Sequence, residues 1–153
     1  MQAPPSSGNG KILIGWREYV ALPDWGITVR AKIDTGARTS ALHVEQIEVL
    51  PGGRVRFEAV LRRAPERSIP IEAPLVGETV VRPSSGEPQA RYVVATRMRL
   101  GGVEREIHLG LVSREHMLCR MLVGRRALEG QFVVDPDAKY LHRRKRRQDG
   151  GAA

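Results

Sequence analysis

Residues 34–40 read Asp34-Thr35-Gly36-Ala37-Arg38-Thr39-Ser40, and they directly follow the run Thr28-Val29-Arg30-Ala31-Lys32-Ile33. In that run apolar residues alternate with polar ones, which is the two-residue period of a strand with one buried face. The glycine then breaks the strand. The stretch therefore predicts a carboxylate, a small hydroxyl residue and a glycine in a turn at a strand end. The Asp-Thr-Gly triplet occurs once in the 153 residues.

Two Gly-Gly pairs mark hairpins. Gly52-Gly53 and Gly101-Gly102 each lie between two runs in which apolar and polar residues alternate. A primed two-residue turn needs positive φ at both central positions, and glycine adopts this conformation without steric cost. A third, looser hairpin is predicted between residues 79–81 and 92–94, with residues 83–88 at its tip.

The remaining elements follow from shorter signals. The apolar run 11–16 predicts the first strand, and Pro23-Asp24-Trp25-Gly26 predicts a turn. Toward the C-terminus the expected elements are a strand at 121–124, one or two helical turns at 125–129 closed by Gly130, and a last strand at 132–134 that stops at Asp135-Pro136-Asp137. Because no long helical pattern is present, the sequence predicts an all-β fold with one short C-terminal helix.

Length and charge indicate one domain with a basic end. A chain of 153 residues that is 41% apolar fits a single domain, predicted at 11–141. The net charge of +8 belongs mostly to residues 143–147, because without them 20 basic residues face 17 acidic ones. Residues 142–153 are therefore predicted to be a disordered tail, which contacts nucleic acid or ribosomes only as an accessory. Residues 1–10, polar and rich in Pro, Ser and Gly, are predicted to be a flexible leader.

The single cysteine and the lack of long apolar stretches bear on location. Cys119 excludes an intrachain disulfide, and its apolar surroundings in the sequence favour a buried structural role. The leader lacks the apolar core of a signal peptide, and no stretch is long enough to cross a membrane. We therefore expect a cytoplasmic protein without membrane contact.

Several blocks of sequence, taken in order, resemble a known family. The pattern is similar to the retropepsin-like aspartic proteases, and most similar to a bacterial branch often labelled ATP-dependent zinc proteases. Members of that branch are associated with ATP-grasp ligases that add glutamate to a ribosomal protein. The resemblance covers about residues 11–141 and implies a small closed β-barrel. The blocks that carry it are 14–18, 32–43, 121–125 and 132–136.

The resemblance implies a chemistry for the turn at Asp34. Asp34 would be the catalytic residue of an aspartic endopeptidase, and one chain would hold half of an active site. The enzyme would then be a homodimer acting on a peptide or protein substrate. Thr35, Gly36 and Ala37 complete the turn. The Gly36 N–H would support a carboxylate, and Thr35 would bond across the dimer.

Residues outside the turn receive supporting roles. Arg38 and the hairpin-tip residues Ser84, Ser85 and Gly86 are candidates for substrate contact, with the tip as a mobile flap. Gly124 and Arg125 resemble a structural pair in which the arginine binds an acid just after the catalytic turn. Arg38 stands at that place here and would favour an acidic peptide. Arg125 is therefore expected to pair instead with Asp24, Glu18 or Asp135.

No metal or cofactor is expected from the residues. A zinc hydrolase needs about three protein ligands, and the chain has no His-Glu-x-x-His motif. It also lacks a Gly-rich phosphate loop for ATP. The histidines are scattered at positions 43, 108, 116 and 142. His43 is interpreted as a structural hydrogen-bonding residue.

Three alternatives to an active aspartic protease stay open. In the first alternative, the domain is an inactive peptide-binding module, for example an adaptor of a ligase system. In the second, it is a zinc-dependent protease, as the family label says. In the third, it is a basic accessory factor that acts on RNA or ribosomes through residues 143–147.

Overall fold

The computed structural model describes residues 10–63, 65–81, 86–113 and 119–142, and most of them lie in strands. The predicted leader and basic tail fall almost entirely outside these ranges. No helix within the ranges has the length and apolar character of a membrane span. The described elements, in chain order, are β1 Ile12–Leu22, a 3₁₀ turn Pro23–Trp25, β2 Ile27–Ile33, β3 Ser40–Leu50, β4 Arg54–Arg63, β5 Glu66–Val81, β6 Gln89–Leu100, β7 Val103–Val112, β8 Met121–Val123, α1 Arg125–Leu128 and β9 Phe132–Lys139.

The strands form one sheet that closes on itself. Their order is β4-β5-β6-β7-β3-β8-β2-β1-β9, and additional pairings join β4 to β3 and β6 to β1. The closed arrangement encloses a mostly aliphatic core, with Phe57 fully buried and Trp25 packed against it edge-on at 5.6 Å between ring centroids. The predicted all-β fold with one short helix is confirmed.

The turns lie where the glycines predict them, but only the β6–β7 loop has the predicted two residues, because Leu50 pairs with Arg54 and the β3–β4 loop has three, 51–53. Gly52 and Gly53 have φ of 82° and 74°, and Gly101 and Gly102 have φ of 58° and 83°. The third predicted hairpin is also present, because β5 pairs with β6 up to Val81 opposite Gln89. Residues 82–85 of its tip, including Ser84 and Ser85, lie outside the described residues.

Strand β2 has the burial pattern that its sequence predicts. Val29, Ala31 and Ile33 are buried, and the polar residues between them are exposed. One face of β2 thus belongs to the core along its whole length. The strand carries Asp34 directly at its end.

The prediction that the last strand stops at Asp135 is wrong. Strand β9 continues to Lys139 by pairing with β1, and the register shifts between Gly15 opposite Asp135 and Arg17 opposite Lys139. Asp135-Pro136-Asp137 therefore forms an irregularity within the strand rather than a turn after it. A proline is tolerated because β9 lies at the end of the strand order and has one neighbour there. Gly15 allows the close approach, since a Cβ there would lie 2.6 Å from the carbonyl carbon of Ala138.

A buried glutamate joins the two ends of the described domain. Glu18 is fully buried. Its carboxylate accepts hydrogen bonds from the backbone N–H groups of Gly15 at 2.7 Å, Leu141 at 3.0 Å and His142 at 3.2 Å. The His142 ring adds a 2.8 Å contact from Nε2 to the carbonyl oxygen of Leu13. Glu18 thus fixes the chain after β9 against β1.

We predict that Glu18→Ala lowers the free energy of unfolding by about 3 kcal/mol or more, because three backbone N–H groups lose their acceptor. Glu18→Gln should cost less, since one carbonyl acceptor stays. Urea unfolding measures both. The control is Glu66→Ala, an exposed glutamate on β5, whose change should stay within about 0.5 kcal/mol. Equal losses for the two alanine variants would contradict the role of Glu18.

Candidate active site

Asp34 lies at the point where three strands meet. Strand β8 runs between β2 and β3, parallel to β2 with Val123 opposite Ile33 and antiparallel to β3 with Leu122 opposite Ala41. The Asp34 backbone N–H donates to the carbonyl oxygen of Val123 at 2.9 Å. The chain between β2 and β3, residues 34–39, therefore crosses the end of β8. We call these residues the catalytic turn, after the role that the sequence predicts for Asp34.

Hydrogen bonds inside the catalytic turn fix the carboxylate. The Gly36 N–H donates to Asp34 Oδ1 at 2.9 Å. The Ala37 N–H donates to the Asp34 carbonyl oxygen at 3.1 Å. Asp34 is half-buried, whereas Thr35 and Gly36 are exposed. One oriented carboxylate thus lies beside two exposed residues at the surface of the chain.

Gly124 packs directly against the backbone of the catalytic turn. A Cβ at this position would lie 2.9 Å from the Ala37 carbonyl oxygen and closer still to that of Thr39. The Gly124 N–H donates at 3.0 Å to Oγ of Ser40, which is buried. Close backbone contact is therefore possible only without a side chain at position 124. No role was predicted for Ser40, although it lies within block 32–43 of the resemblance.

The first residues of α1 continue this contact. The Arg125 N–H donates to the Ala37 carbonyl oxygen at 2.8 Å, and the Arg126 N–H donates to the Arg38 carbonyl oxygen at 3.1 Å. These two N–H groups belong to the first turn of a helix, where they have no partner within the helix. The catalytic turn supplies the missing acceptors.

The predicted acidic partners of Arg125 are wrong. Arg125 Nη1 donates to the carbonyl oxygen of Thr35 at 3.0 Å. The physical reason is that the three acids are engaged elsewhere. Glu18 accepts from backbone N–H groups, and Asp135 accepts from the Asp137 N–H at 2.9 Å.

Asp24, the third predicted partner of Arg125, belongs to a surface ion-pair network. Its Oδ1 lies 2.6 Å from Arg97 Nη2. That hydrogen bond lowers the pKa of the Asp24 carboxyl and raises the pKa of the Arg97 guanidinium. Glu104 extends the network by contacting Arg97 and Arg99 at 3.0 Å. The network fastens the 3₁₀ turn to the β6–β7 hairpin, away from the catalytic turn.

Arg126 lines two of the hollows that border the catalytic turn. One, of about 380 Å³, is lined by Arg38, Arg125, Arg126 and Glu129. We call it the arginine notch. The other, of about 390 Å³, lies between the β5–β6 hairpin, β7, α1 and residues Thr39 and Ser40. We call it the cleft. Arg38 was predicted from the sequence, whereas Arg126 was not, and no local signal in the sequence marks the cleft.

The predicted site residues divide into three groups. The structure brings together residues 34–38 with Gly124 and Arg125 in one unit of contacts. Gly86 is described, exposed and has φ of 101°, at the end of the β5–β6 hairpin. Ser84 and Ser85 lie outside the described residues, so their role stays a prediction.

The histidines and the cysteine do not converge in the described part of the chain. There, no three His, Cys, Asp or Glu side chains lie close enough to hold a metal ion together. His43 is fully buried, and Cys119 is buried as predicted. His116 lies outside the described residues.

Comparison with known proteins identifies the family of this chain. Residues 13–145 match the RimB-like family, described as retropepsin-like aspartic endopeptidase RimB. The chain belongs to this family. The resemblance drawn from the Asp34 block and the later Gly124-Arg125 block is thereby confirmed, and with it the retropepsin-like fold.

The chain is also similar to part of several longer proteins that are named as glutamate ligases. The chain is 33% identical over 139 residues to a "Probable alpha-L-glutamate ligase" of Shewanella pealeana, which covers 86% of this chain and 30% of that protein. A protein of the same name from Parasynechococcus marenigrum is 35% identical over 135 residues, covering 85% of this chain and 29% of that protein. The chain thus spans about a third of the length of these curated relatives.

A solved structure shares the fold. The crystal structure of Lpg0085 from Legionella pneumophila, a protein described as of unknown function, superimposes with a TM-score of 0.71. It is 27% identical, and the match covers 84% of this chain and 95% of that one. The domain described above is therefore found nearly complete in a separate protein.

We predict that Gly124→Ala lowers the free energy of unfolding by about 1–3 kcal/mol, because the new methyl group meets backbone that no rotamer change can move aside. The Gly36 amide signal in an NMR spectrum should shift as the catalytic turn is displaced. Gly77→Ala is the matched control, since a Cβ there has nothing within 4 Å. An unshifted Gly36 signal with unchanged stability would contradict the close contact.

Proposed function

We propose that the protein is a homodimeric aspartic endopeptidase in which two Asp34 carboxylates activate one water molecule. The observation that carries the proposal is the half-buried Asp34 carboxylate, held by the Gly36 N–H beside exposed Thr35 and Gly36. The Asp-Thr-Gly triplet occurs once in the chain. A second copy must therefore supply the second carboxylate.

The chemistry follows from two carboxylates sharing one proton. Two carboxyl groups that meet in a dimer do not both ionise, because the two negative charges would repel each other. The pair therefore holds one proton and titrates as a unit. The ionised Asp34 takes a proton from the water, whose oxygen bonds to the scissile carbonyl carbon. The protonated Asp34 gives its proton to the carbonyl oxygen, and a gem-diol forms. Collapse breaks the C–N bond as the nitrogen takes a proton, leaving a carboxylic acid and an amine.

The surroundings of Asp34 keep this pair in place. Gly36 and Ala37 hold the turn through their N–H groups, and Arg125 holds the Thr35 carbonyl oxygen. The Thr35 hydroxyl is thus left to bond across the dimer, as the family resemblance implies. Geometry of this kind matters because catalysis depends on positioning to a fraction of an ångström.

An acidic substrate fits the charges next to the turn. The arginine notch places three guanidinium groups against the single carboxylate of Glu129. Relatives that contain this region carry the name alpha-L-glutamate ligase. We infer that the substrate is a peptide or protein bearing glutamate residues, and that the enzyme works together with an ATP-grasp ligase that adds them. A cytoplasmic location and the absence of a metal or cofactor belong to the same proposal.

We predict that Asp34→Asn lowers kcat by at least about 100-fold, because the pair loses its general base and its shared proton. Mass spectrometry of glutamate-rich peptides digested between acid and neutral pH measures the loss, with pepstatin and a chelator as separate arms. Asp137→Asn, an exposed carboxylate on β9, is the control and should retain activity. Cleavage that persists in Asp34→Asn but stops with the chelator would replace this mechanism with zinc chemistry.

We predict that inactive subunits poison active ones. Adding Asp34→Asn protein in fourfold excess to a fixed amount of wild type should lower total activity well below its starting value, because most wild-type chains then pair with an inactive partner. Bovine serum albumin at the same concentration controls for dilution and adsorption. Unchanged total activity after full exchange would show that one chain suffices.

The main competing function is a binding module without hydrolysis. Its support is that the named relatives are ligases of which this region forms about a third. It predicts tight binding of glutamate-rich peptides by both wild type and Asp34→Asn, with no cleavage at any pH. The RNA-directed alternative predicts instead that deletion of residues 143–153 abolishes function.

A further inference from the structure

The cleft is the place where the fold leaves room for a substrate side chain. Its walls come from four parts of the chain that are distant in sequence. Thr39, the last residue of the catalytic turn, and Ser40, the first residue of β3, form one wall. The β5–β6 hairpin contributes Thr79, Arg91 and Val93. The cleft therefore connects the predicted flap hairpin with the catalytic turn.

Arg91 occupies a space that a glycine provides. Val93 pairs with Gly110 across β6 and β7, and Arg91 lies two residues before Val93, on the same face of the sheet. A Cβ at position 110 would lie 2.8 Å from Arg91 Cδ and 3.4 Å from Cγ. The Arg91 stem thus passes across the glycine. Any larger residue at 110 would push the guanidinium away from its place in the cleft.

The charge around the cleft is positive. Among its lining residues Arg91 and Arg126 carry guanidinium groups, while Glu106 is the carboxylate. His108 adds an imidazole N–H donor to the same lining. Arg126 also lines the arginine notch, where it is joined by Arg38 and Arg125. Arg126 therefore joins the cationic lining of the cleft to that of the arginine notch.

We propose that Arg91, placed by Gly110, and Arg126 bind a carboxylate side chain of the peptide substrate in the cleft and so determine its specificity. The planar guanidinium fork matches a carboxylate with two parallel N–H···O bonds, which an amide of the same shape does not reproduce. The cleft volume of about 390 Å³ accommodates a glutamate side chain with adjoining backbone. The inference rests on the proposed endopeptidase function, since it assigns a subsite of that active site.

The first test compares paired peptides. Substrates that carry Glu or Gln at one position at a time are digested by wild type, Arg91→Met, Arg126→Met and Gly110→Ala. Wild type should prefer Glu over Gln by roughly tenfold in kcat/KM at one or more positions, and each variant should lose that preference. Arg99→Met is the matched control, because Arg99 lies on the same strand but bonds to Glu104. A Glu preference that survives in all three cleft variants would overturn the assignment.

A second variant changes the preference in the opposite direction. Glu106→Gln removes the carboxylate from the lining of the cleft, so binding of an acidic peptide should strengthen and become more sensitive to salt. Arg91→Met and Glu106→Gln therefore move affinity in opposite directions. Loss of folding would weaken binding in both variants, so opposite shifts also exclude that explanation.

Equilibrium binding separates this inference from the proposed function. Fluorescein-labelled pentaglutamate and pentaglutamine are titrated into Asp34→Asn protein, alone and combined with Arg91→Met. Selective binding of pentaglutamate that weakens roughly tenfold with Arg91→Met supports the subsite even when no peptide is hydrolysed. Cleavage by wild type without any Glu selectivity in binding retains the endopeptidase and rejects the subsite. Equal binding of both peptides to every variant rejects the subsite as well.

Discussion

The site depends on strand β8 lying between β2 and β3. Only three residues long, it pairs in parallel with β2 and antiparallel with β3. The catalytic turn has to cross the end of β8, and Gly124 is the residue that permits this crossing. Because the Val123 carbonyl oxygen accepts from the Asp34 N–H, the carboxylate is positioned by a strand nearly ninety residues away in sequence. The conformation of the turn and the placement of β8 in the sheet therefore depend on each other.

The remaining contacts strengthen that crossing by giving partners to polar backbone groups at the start of α1 and at Gly124. Ser40 Oγ accepts a hydrogen bond from the Gly124 N–H. The carbonyl oxygens of Ala37 and Arg38 accept hydrogen bonds from the first two N–H groups of α1. A four-residue helix has little stability of its own. It is formed here because the catalytic turn acts as its N-terminal cap. Conversely, the helix keeps the turn from opening.

Local patterns were sufficient to predict the elements, but not the contacts between distant ones. The Gly-Gly turns and the alternation of β2 could be predicted because backbone conformation and burial follow local periodicity. The extension of β9 could not, since a proline usually ends a strand and only pairing with β1 carries it further. Asp34 could likewise be predicted from the residues next to it in the sequence, whereas the acceptor of Arg125 could not. A backbone carbonyl leaves no mark in the sequence. The role of Gly110 beside Arg91 likewise appears only once the register of β6 and β7 is known.

Arg125 and Arg38 together explain how the catalytic turn acquires a cationic border. Because Arg125 bonds to a backbone oxygen, its positive charge is not neutralised by that contact. Arg38 adds a second guanidinium in the same notch, and Glu129 offsets only part of the charge. Two like charges held near each other cost free energy, and an anion that binds between them recovers it. A structural ion pair at this position would have stabilised the turn but left no charge for a ligand. The chain instead stabilises the turn through backbone contacts, which leaves the charges of Arg38 and Arg125 for the acidic substrate proposed above.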